Sequence, residues 1–251
     1  MLFGKQGEEQ SMAKKKVVLF IVEGVNDELA LALPLERLLS NELVKVEVTE
    51  GDITTKYSNE GIVARIGAII KKHISVNKYQ TQDYAEVVLL VDTDGAYINQ
   101  DSILYDNLYD EAYYDNDTIR YINPEGLEKT HLQKCRNLNH LISLPKVYNN
   151  IPFSVYFFSC NLDHVICNDA NLTRSGKAEV ANNFRSKYVN DLKGFHEFFS
   201  SLELSIGYTY DETWSFIKFG TNSLQRCSNF NVFLSMEAKQ IKRDFSSVFE
   251  N

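Results

Sequence analysis

The chain has 251 residues, 44% of them apolar and 24% charged, and a formal net charge of −8. This composition is typical of a globular protein, and no apolar run reaches the roughly 18 residues that a membrane-spanning helix needs. The negative charge disfavours nucleic-acid binding through a broad basic surface, so such binding would require a metal ion, a local basic patch or a partner. Residues 1–15 are polar and predict a flexible leader, with Met12 as an alternative start. Without the apolar segment of a signal peptide, we expect a cytoplasmic location and no membrane contact.

The N-terminal half predicts alternating strands and helices. Apolar runs rich in β-branched residues predict buried strands at 16–22 and 86–91, and an alternating segment predicts a strand at 44–48. A helix is expected after the first strand and another at 61–74. This β-α-β-α-β order favours a parallel sheet with helices on both faces, and ligands bind such sheets beyond the carboxyl ends of their strands.

The second half has a different character. Residues 96–122 are dense in Tyr, Asp and Asn and predict a long loop or insertion with little regular structure. A helix at 125–144, a strand at 151–159 and a mostly helical remainder follow, with a terminal helix at 231–249. The aromatic residues spaced along these helices are Phe184, Tyr188, Phe195, Phe198, Phe199 and Trp214. Their spacing fits an ordinary helical core, and it is also compatible with an exposed binding surface.

A first acidic motif, VEGVNDE at 22–28, begins where the first predicted strand ends. Glu23 lies directly after that strand, and Gly24 allows the backbone to turn tightly into the following helix. A metal or catalytic role for Glu23 is one interpretation. The other is that the acidic residues of this motif only complement the dipole of the helix.

A second acidic motif, LLVDTDGA at 89–96, follows another buried strand. Asp92 and Asp94 are two residues apart, and carboxylate oxygens are the ligands that Mg²⁺ prefers in proteins. The alternative is an Asp-rich turn with Gly95 in a left-handed conformation. A pair of Asp residues with this spacing is a weak signal on its own.

Together the two motifs resemble the TOPRIM family, which occurs in topoisomerases, bacterial primases, small RNA-processing nucleases and OLD-type nucleases. The family has a Glu after its first strand and an Asp-x-Asp after its third, matched here by IVEGVND and LLVDTDG. The resemblance implies an α/β fold with a TOPRIM-like parallel sheet at 16–170 and a mostly helical C-terminal extension at 171–251. It also implies that Glu23 is a general acid/base or metal ligand and that Asp92 and Asp94 coordinate Mg²⁺ or Mn²⁺.

OLD-type members add a carboxylate and a basic residue after the last core strand. Asp163 is the candidate for this acid, although it could equally cap a helix, and Asp169 competes with it. Lys177 is the candidate for a catalytic cation, and either Lys177 or Arg174 could contact a phosphate. Two further lysines, Lys71 and Lys72, predict a solvated helix end, with substrate contact as the second interpretation.

The activity that the resemblance implies is metal-dependent cleavage of phosphodiester bonds in DNA or RNA. Chains of this size resemble effectors of bacterial anti-phage defence and abortive infection, which work beside a partner ATPase. The expected partners are therefore nucleic acid, an ATPase and, as a homo-oligomer, further copies of the chain. A net charge of −8 fits an effector that a partner holds or switches.

Three alternatives stay open. The DTDGA segment also resembles the nucleophile motif of haloacid-dehalogenase-like phosphatases, in which Asp92 would be phosphorylated and Asp94 would be the general acid. An Asp-x-Asp at a strand end is also the metal motif of GT-A glycosyltransferases. The third alternative is a non-catalytic interaction module that binds through its aromatic C-terminal part.

Overall fold

The computed structural model describes residues 15–40, 42–49, 51–55, 60–207 and 209–236. The strands in chain order are β1 (Val17–Val22), β2 (Leu43–Val48), β3 (Tyr84–Asp92), β4 (Ile103–Tyr105), β5 (Tyr113–Tyr114), β6 (Ile119–Tyr121), β7 (Lys146–Val147), β8 (Ile151–Ser159) and β9 (Cys227–Ser228). The helices are α1 (Val25–Leu38), α2 (Ile62–Asn77), α3 (Pro124–Leu141), α4 (Leu162–Cys167), α5 (Arg174–Tyr188), α6 (Leu192–Phe199) and α7 (Tyr210–Ile217).

The central sheet is mixed and mostly parallel. Strands β2, β1, β3 and β8 lie side by side in that order, and all are parallel. The short strands β7 and β9 both pair antiparallel with β8 at the far edge. The predicted α/β class with helices around a parallel sheet is confirmed for the four long strands. The two antiparallel edge strands, each of two residues, do not follow from any sequence pattern.

Both faces of the sheet are covered, which explains the unbroken apolar runs of its strands. In β1 every residue is buried, and neighbouring side chains alternate between two separate hydrophobic clusters. Val18 and Phe20 face α1, α5 and α6, whereas Leu19 and Ile21 face α2, α3 and α7. A strand that is buried on both faces needs no polar alternation, so it appears in the sequence as a continuous apolar stretch.

The aromatic residues of the C-terminal helices belong to the core. Phe184, Tyr188, Phe195 and Phe199 are buried against the first face of the sheet, and Trp214 is buried against the second. Residues 171–236 therefore share the hydrophobic clusters of the N-terminal strands. Residues 230–236 are helical, and the remainder of the predicted terminal helix lies outside the described residues.

The insertion expected at 96–122 has more regular structure than the sequence predicts. It joins β3 to α3 and contains a small sheet in which β6 lies between β4 and β5. Its strands are only two or three residues long, too short to produce a recognisable alternation of polar and apolar residues. Ile119 of β6 is fully buried in a small apolar cluster that the insertion shares with Cys160 and Leu224.

Among the described residues, no helix has the length and apolar character needed to cross a bilayer.

Candidate metal centre

Three carboxylates converge at one edge of the central sheet. Glu23 directly follows β1, Asp52 lies in the loop after β2, and Asp94 lies just beyond the end of β3. Because these strands are parallel, their carboxyl ends share one edge. One oxygen from each carboxylate lies within 4.8 Å of the other two, so the group could hold a metal ion. We call these three residues the carboxylate cluster.

The ammonium group of Lys134 lies among the same carboxylates. It extends from α3, its side chain has no exposed surface, and Nζ donates to Asp94 Oδ2 (2.5 Å) and Asp52 Oδ2 (3.0 Å). The nearest oxygen of Glu23 is 4.0 Å from Nζ. Burial alone would lower the pKa of Lys134, but the surrounding carboxylates outweigh burial and raise it well above its usual value. Lys134 is therefore a buried and charged group.

One carboxylate oxygen of Glu23 has no hydrogen-bond donor among the described residues. Burial raises the pKa of its carboxyl group well above the usual value, although the charge of Lys134 opposes the shift. Its Oε1 is buried and accepts no hydrogen bond from the described residues. Leaving such an oxygen unsatisfied is unfavourable, and a cation beside it would relieve this. The all-oxygen donor set and this oxygen both fit a hard divalent cation.

Asp52 is fixed by the turn that contains it. Its Oδ1 accepts a hydrogen bond from the Thr54 backbone N–H (2.6 Å) and another from the Thr54 hydroxyl. Asn137 of α3 donates to the Thr54 carbonyl (2.6 Å) and ties this turn to the helix that carries Lys134. Burial acts to raise the pKa of Asp52, but Lys134 and the Thr54 hydrogen bonds outweigh it, so the pKa is lowered.

Asp94 is positioned by an unusual backbone and by two side chains. Its φ is +48° and that of Gly95 is +66°. The backbone here is therefore an Asp-rich turn with Gly95 in a left-handed conformation, as the alternative interpretation of this motif predicted. A Cβ on Gly95 would lie 2.6 Å from Leu224 Cδ2, so glycine is required there. The hydroxyl of Tyr114 donates to Asp94 Oδ1 (3.4 Å), while Lys134 holds Oδ2. The left-handed turn thus directs Asp94 into the cluster.

Asp92, the third predicted metal ligand, lies beside the carboxylate cluster rather than in it. Its Oδ1 accepts a hydrogen bond from the backbone N–H of Leu162 (3.0 Å), the first residue of α4. Burial raises the pKa of Asp92 well above its usual value, and the nearby carboxylates of Asp27 and Asp94 raise it further. The carboxyl group of Asp92 therefore favours its protonated form next to the cluster, and a cation beside it would favour the ionised form.

Asp163 and Lys177 form a second charged pair in the same region. Lys177 Nζ lies 3.1 Å from Asp163 Oδ2, and Asp163 is buried in the first turn of α4. Asp27, in the first turn of α1, accepts a hydrogen bond from the Gly24 N–H (2.9 Å). Burial raises the pKa of Asp27 to about 6, and Asp163 contributes to the shift while Lys177 opposes it. The structure thus brings Asp163 and Lys177, two of the three predicted catalytic residues, into direct contact.

A cleft of about 360 Å³ lies between the insertion and the segment that leads into α5. Asp92, Asp94 and Lys177 line this cleft, as do Tyr109 and Tyr113 of the insertion. Asp94 of the carboxylate cluster and the neighbouring Asp92 are therefore accessible from an open cavity.

The other predicted contact residues lie elsewhere. Arg174 is exposed at the start of α5, and Asp169 is exposed in the loop before it; neither lines the cleft. Lys71 and Lys72 are exposed in the middle of α2, because that helix continues to Asn77 instead of ending near them. The structure does not bring these two lysines to the carboxylate cluster.

Asp52 and Lys134 are absent from the residues predicted from sequence. A signal for Asp52 exists, because it closely follows a predicted strand that pairs in parallel with β1, the strand that Glu23 follows. A signal for Lys134 also exists, because it lies four positions before the fully buried Leu138 on one face of a predicted helix.

No family model, no curated protein and no solved structure matches the chain.

Proposed function

We propose that the chain is a Mg²⁺- or Mn²⁺-dependent nuclease that hydrolyses phosphodiester bonds in DNA or RNA. The observation that carries the proposal is the convergence of Glu23, Asp52 and Asp94, whose oxygens lie within 4.8 Å of one another. Two of these residues come from the motifs that resemble the TOPRIM family, and the third comes from the strand beside β1. The buried, unsatisfied oxygen of Glu23 supports a cation at this position.

The carboxylate cluster would hold the metal ion, with Asp92 alongside. When bound, the ion would neutralise the phosphodiester and stabilise charge on the leaving oxygen. A bound cation would favour the ionised form of Glu23, whose pKa burial otherwise raises. Lys177 lines the cleft with its ammonium group 3.1 Å from Asp163, so Asp163 orients a cation that is able to bind a phosphate oxygen.

The surrounding charge fits a regulated enzyme. With a net charge of −8, the chain would bind nucleic acid weakly until a metal ion or a partner supplies positive charge. We therefore propose that it acts as a cytoplasmic anti-phage effector with a partner ATPase. Tight unassisted binding to random duplex at physiological salt would contradict this part of the proposal.

The test is cleavage of labelled single-stranded DNA, duplex DNA, total RNA and tRNA in Mg²⁺ and in Mn²⁺. Glu23→Gln, Asp92→Asn and Asp94→Asn should each lower the cleavage rate at least about 100-fold, because each removes a carboxylate charge from the centre. The matched control is Asp101→Asn, which removes an exposed carboxylate of the insertion and should leave the rate unchanged.

A phosphatase assay with p-nitrophenyl phosphate distinguishes the nuclease from the main alternative, a haloacid-dehalogenase-like phosphatase. Phosphate release that requires Asp92 but tolerates Glu23→Gln, without any nuclease activity, would favour a haloacid-dehalogenase-like enzyme. Absence of both activities, with the candidate ATPase present, would favour a non-catalytic interaction module.

A further inference from the structure

The cleft beside the metal centre is lined by two chemically different groups of side chains. The first group consists of Asp92, Asp94 and Lys177. The second consists of Tyr109 and Tyr113, which the insertion supplies. The volume of about 360 Å³ lies near the lower limit of the range of about 300–1,000 Å³ found for small-molecule sites. It suits one small planar group together with its substituents.

Tyr109 and Tyr113 form a stacked pair. Their ring centroids are 4.4 Å apart and their planes are inclined by 27°, and both side chains are partly exposed. The backbone holds the pair in place, because Tyr113 belongs to β5 and the Tyr109 carbonyl accepts a hydrogen bond from Ile122 N (2.8 Å). Stacked, partly exposed rings fixed to a small sheet are a suitable surface for a nucleobase, which has an aromatic face of its own.

The charged residues that line the cleft favour one orientation of a bound nucleotide. Asp110 and Glu111 are exposed, line the cleft and lie between Tyr109 and Tyr113 in the chain. Their carboxylates repel phosphate groups, but they are able to accept hydrogen bonds from the exocyclic amino groups of bases. Lys177 supplies a positive charge to the cleft, which it lines together with the aspartates that would face a metal ion. The charges therefore place a base near the tyrosines and a phosphate near Lys177.

We propose that this cleft binds one unpaired nucleotide of a single-stranded nucleic acid. The base stacks on the Tyr109–Tyr113 pair, and the phosphate faces Lys177 and the metal centre. The inference rests on the proposed nuclease function and narrows its substrate class. A base inside a duplex has both faces covered by its neighbours and cannot stack on the tyrosines unless the strand opens. Intact duplex is therefore a poor substrate.

The test is binding of a fluorescently labelled single strand and of the same strand in a duplex, in Ca²⁺, measured by anisotropy on the full chain. Tyr109→Ala and Tyr113→Ala should each weaken single-strand binding about 5- to 100-fold. Tyr109→Phe and Tyr113→Phe keep the ring and should retain wild-type affinity. The matched control is Tyr105→Ala, because Tyr105 is 69% exposed on β4 of the same insertion and does not line the cleft.

A second measurement covers the case in which the alanine variants fail to fold. A fluorescent adenine analogue in the single strand should lose emission when it binds the wild type and both phenylalanine variants, because stacking quenches it. Unchanged emission, or equal affinity for single strand and duplex, would overturn the inference. Tyrosine-dependent binding without cleavage would leave the inference standing and reject the nuclease. Cleavage that requires Glu23 but not the tyrosines would support the nuclease and reject the inference.

Discussion

Two lysines reach the acidic edge of the sheet, and they differ in burial and in partners. Lys134 has no exposed surface and faces three carboxylates, whereas Lys177 is 36% exposed and is paired with Asp163. Both come from helices outside the βαβ core, α3 and α5 respectively. The difference indicates separate tasks. Lys134 offsets charge repulsion within the fold, while Lys177 retains a surface from which it is able to reach a ligand in the cleft.

The same ion-pair chemistry has different energetics at the two positions. Removing one partner of a buried ion pair strongly destabilises a protein, since the remaining charge stays uncompensated. Breaking a partly exposed pair lowers the free energy of unfolding much less, because water already screens part of the interaction. Stability measurements should therefore respond to Lys134, and substrate measurements should respond to Lys177.

The largest expected effect on stability comes from Lys134→Met in metal-free buffer. The variant leaves the carboxylate cluster without its internal cation, so the free energy of unfolding should fall by about 3–5 kcal/mol. Urea unfolding measures this change. The control is Arg136→Met, which alters an exposed cation on the same helix and should change stability by less than about 0.5 kcal/mol. Equal losses in the two variants would contradict a structural role for Lys134.

An intermediate effect is expected from Asp27→Asn, and it depends on pH. The pKa of Asp27 is raised from 3.8 to about 6, so ionisation destabilises the fold progressively as the pH rises through this interval. An asparagine keeps an acceptor for the Gly24 N–H but carries no charge. The variant should be about 1–2 kcal/mol more stable than wild type at pH 8, and this gain should shrink by pH 4.5.

Urea unfolding of both proteins at the two pH values tests this prediction. The matched control is Asp191→Asn, which changes an exposed carboxylate that also accepts a backbone N–H, from Gly194 (2.9 Å). A gain for Asp27→Asn that is the same at both pH values would show that charge burial is not its cause.

A smaller loss of stability than that of Lys134→Met is expected from Lys177→Met, at about 1–2 kcal/mol, because Lys177 is partly solvated but the variant leaves the buried Asp163 without its partner. Under the proposed function, kcat/KM for nucleic acid should nevertheless fall about 10-fold or more, because a charged contact to phosphate is lost. Comparing unfolding with cleavage in the same preparation measures both. A stability loss as large as that of Lys134→Met, with unchanged cleavage, would reverse the assignment of the two lysines.

The parts of the fold and site that follow from the sequence are those set by strand burial. Strands β1 and β3 are buried on both faces, so continuous apolar runs mark them and also mark where they end. Glu23 and Asp94 lie at those ends, and parallel pairing brings them together. A local pattern and one topological rule are therefore sufficient to place two of the three clustered carboxylates.

The remaining features depend on long-range contacts. Lys134 is 40 residues from Asp94 and 82 from Asp52 in the chain, and no local pattern specifies those pairings. Asp52 follows a strand at the edge of the sheet, whose residues are mostly half-buried, so the end of that strand is a weaker signal. Asp92 matches the motif but turns toward the Leu162 N–H, which depends on where α4 packs.

The Asp94–Lys134 contact closes a loop of 40 residues that contains the whole insertion. The entropy lost on closing a flexible loop grows only with the logarithm of its length, so doubling the length adds about 0.6 kcal/mol. Segments could therefore be added to or removed from the insertion, between β4 and β6, with little penalty to the ion pairs at its base. Such an arrangement separates the part of the chain that can diversify from the part that must stay constant. The tyrosine-bearing surface is able to change over evolutionary time while the carboxylates beneath it keep their geometry.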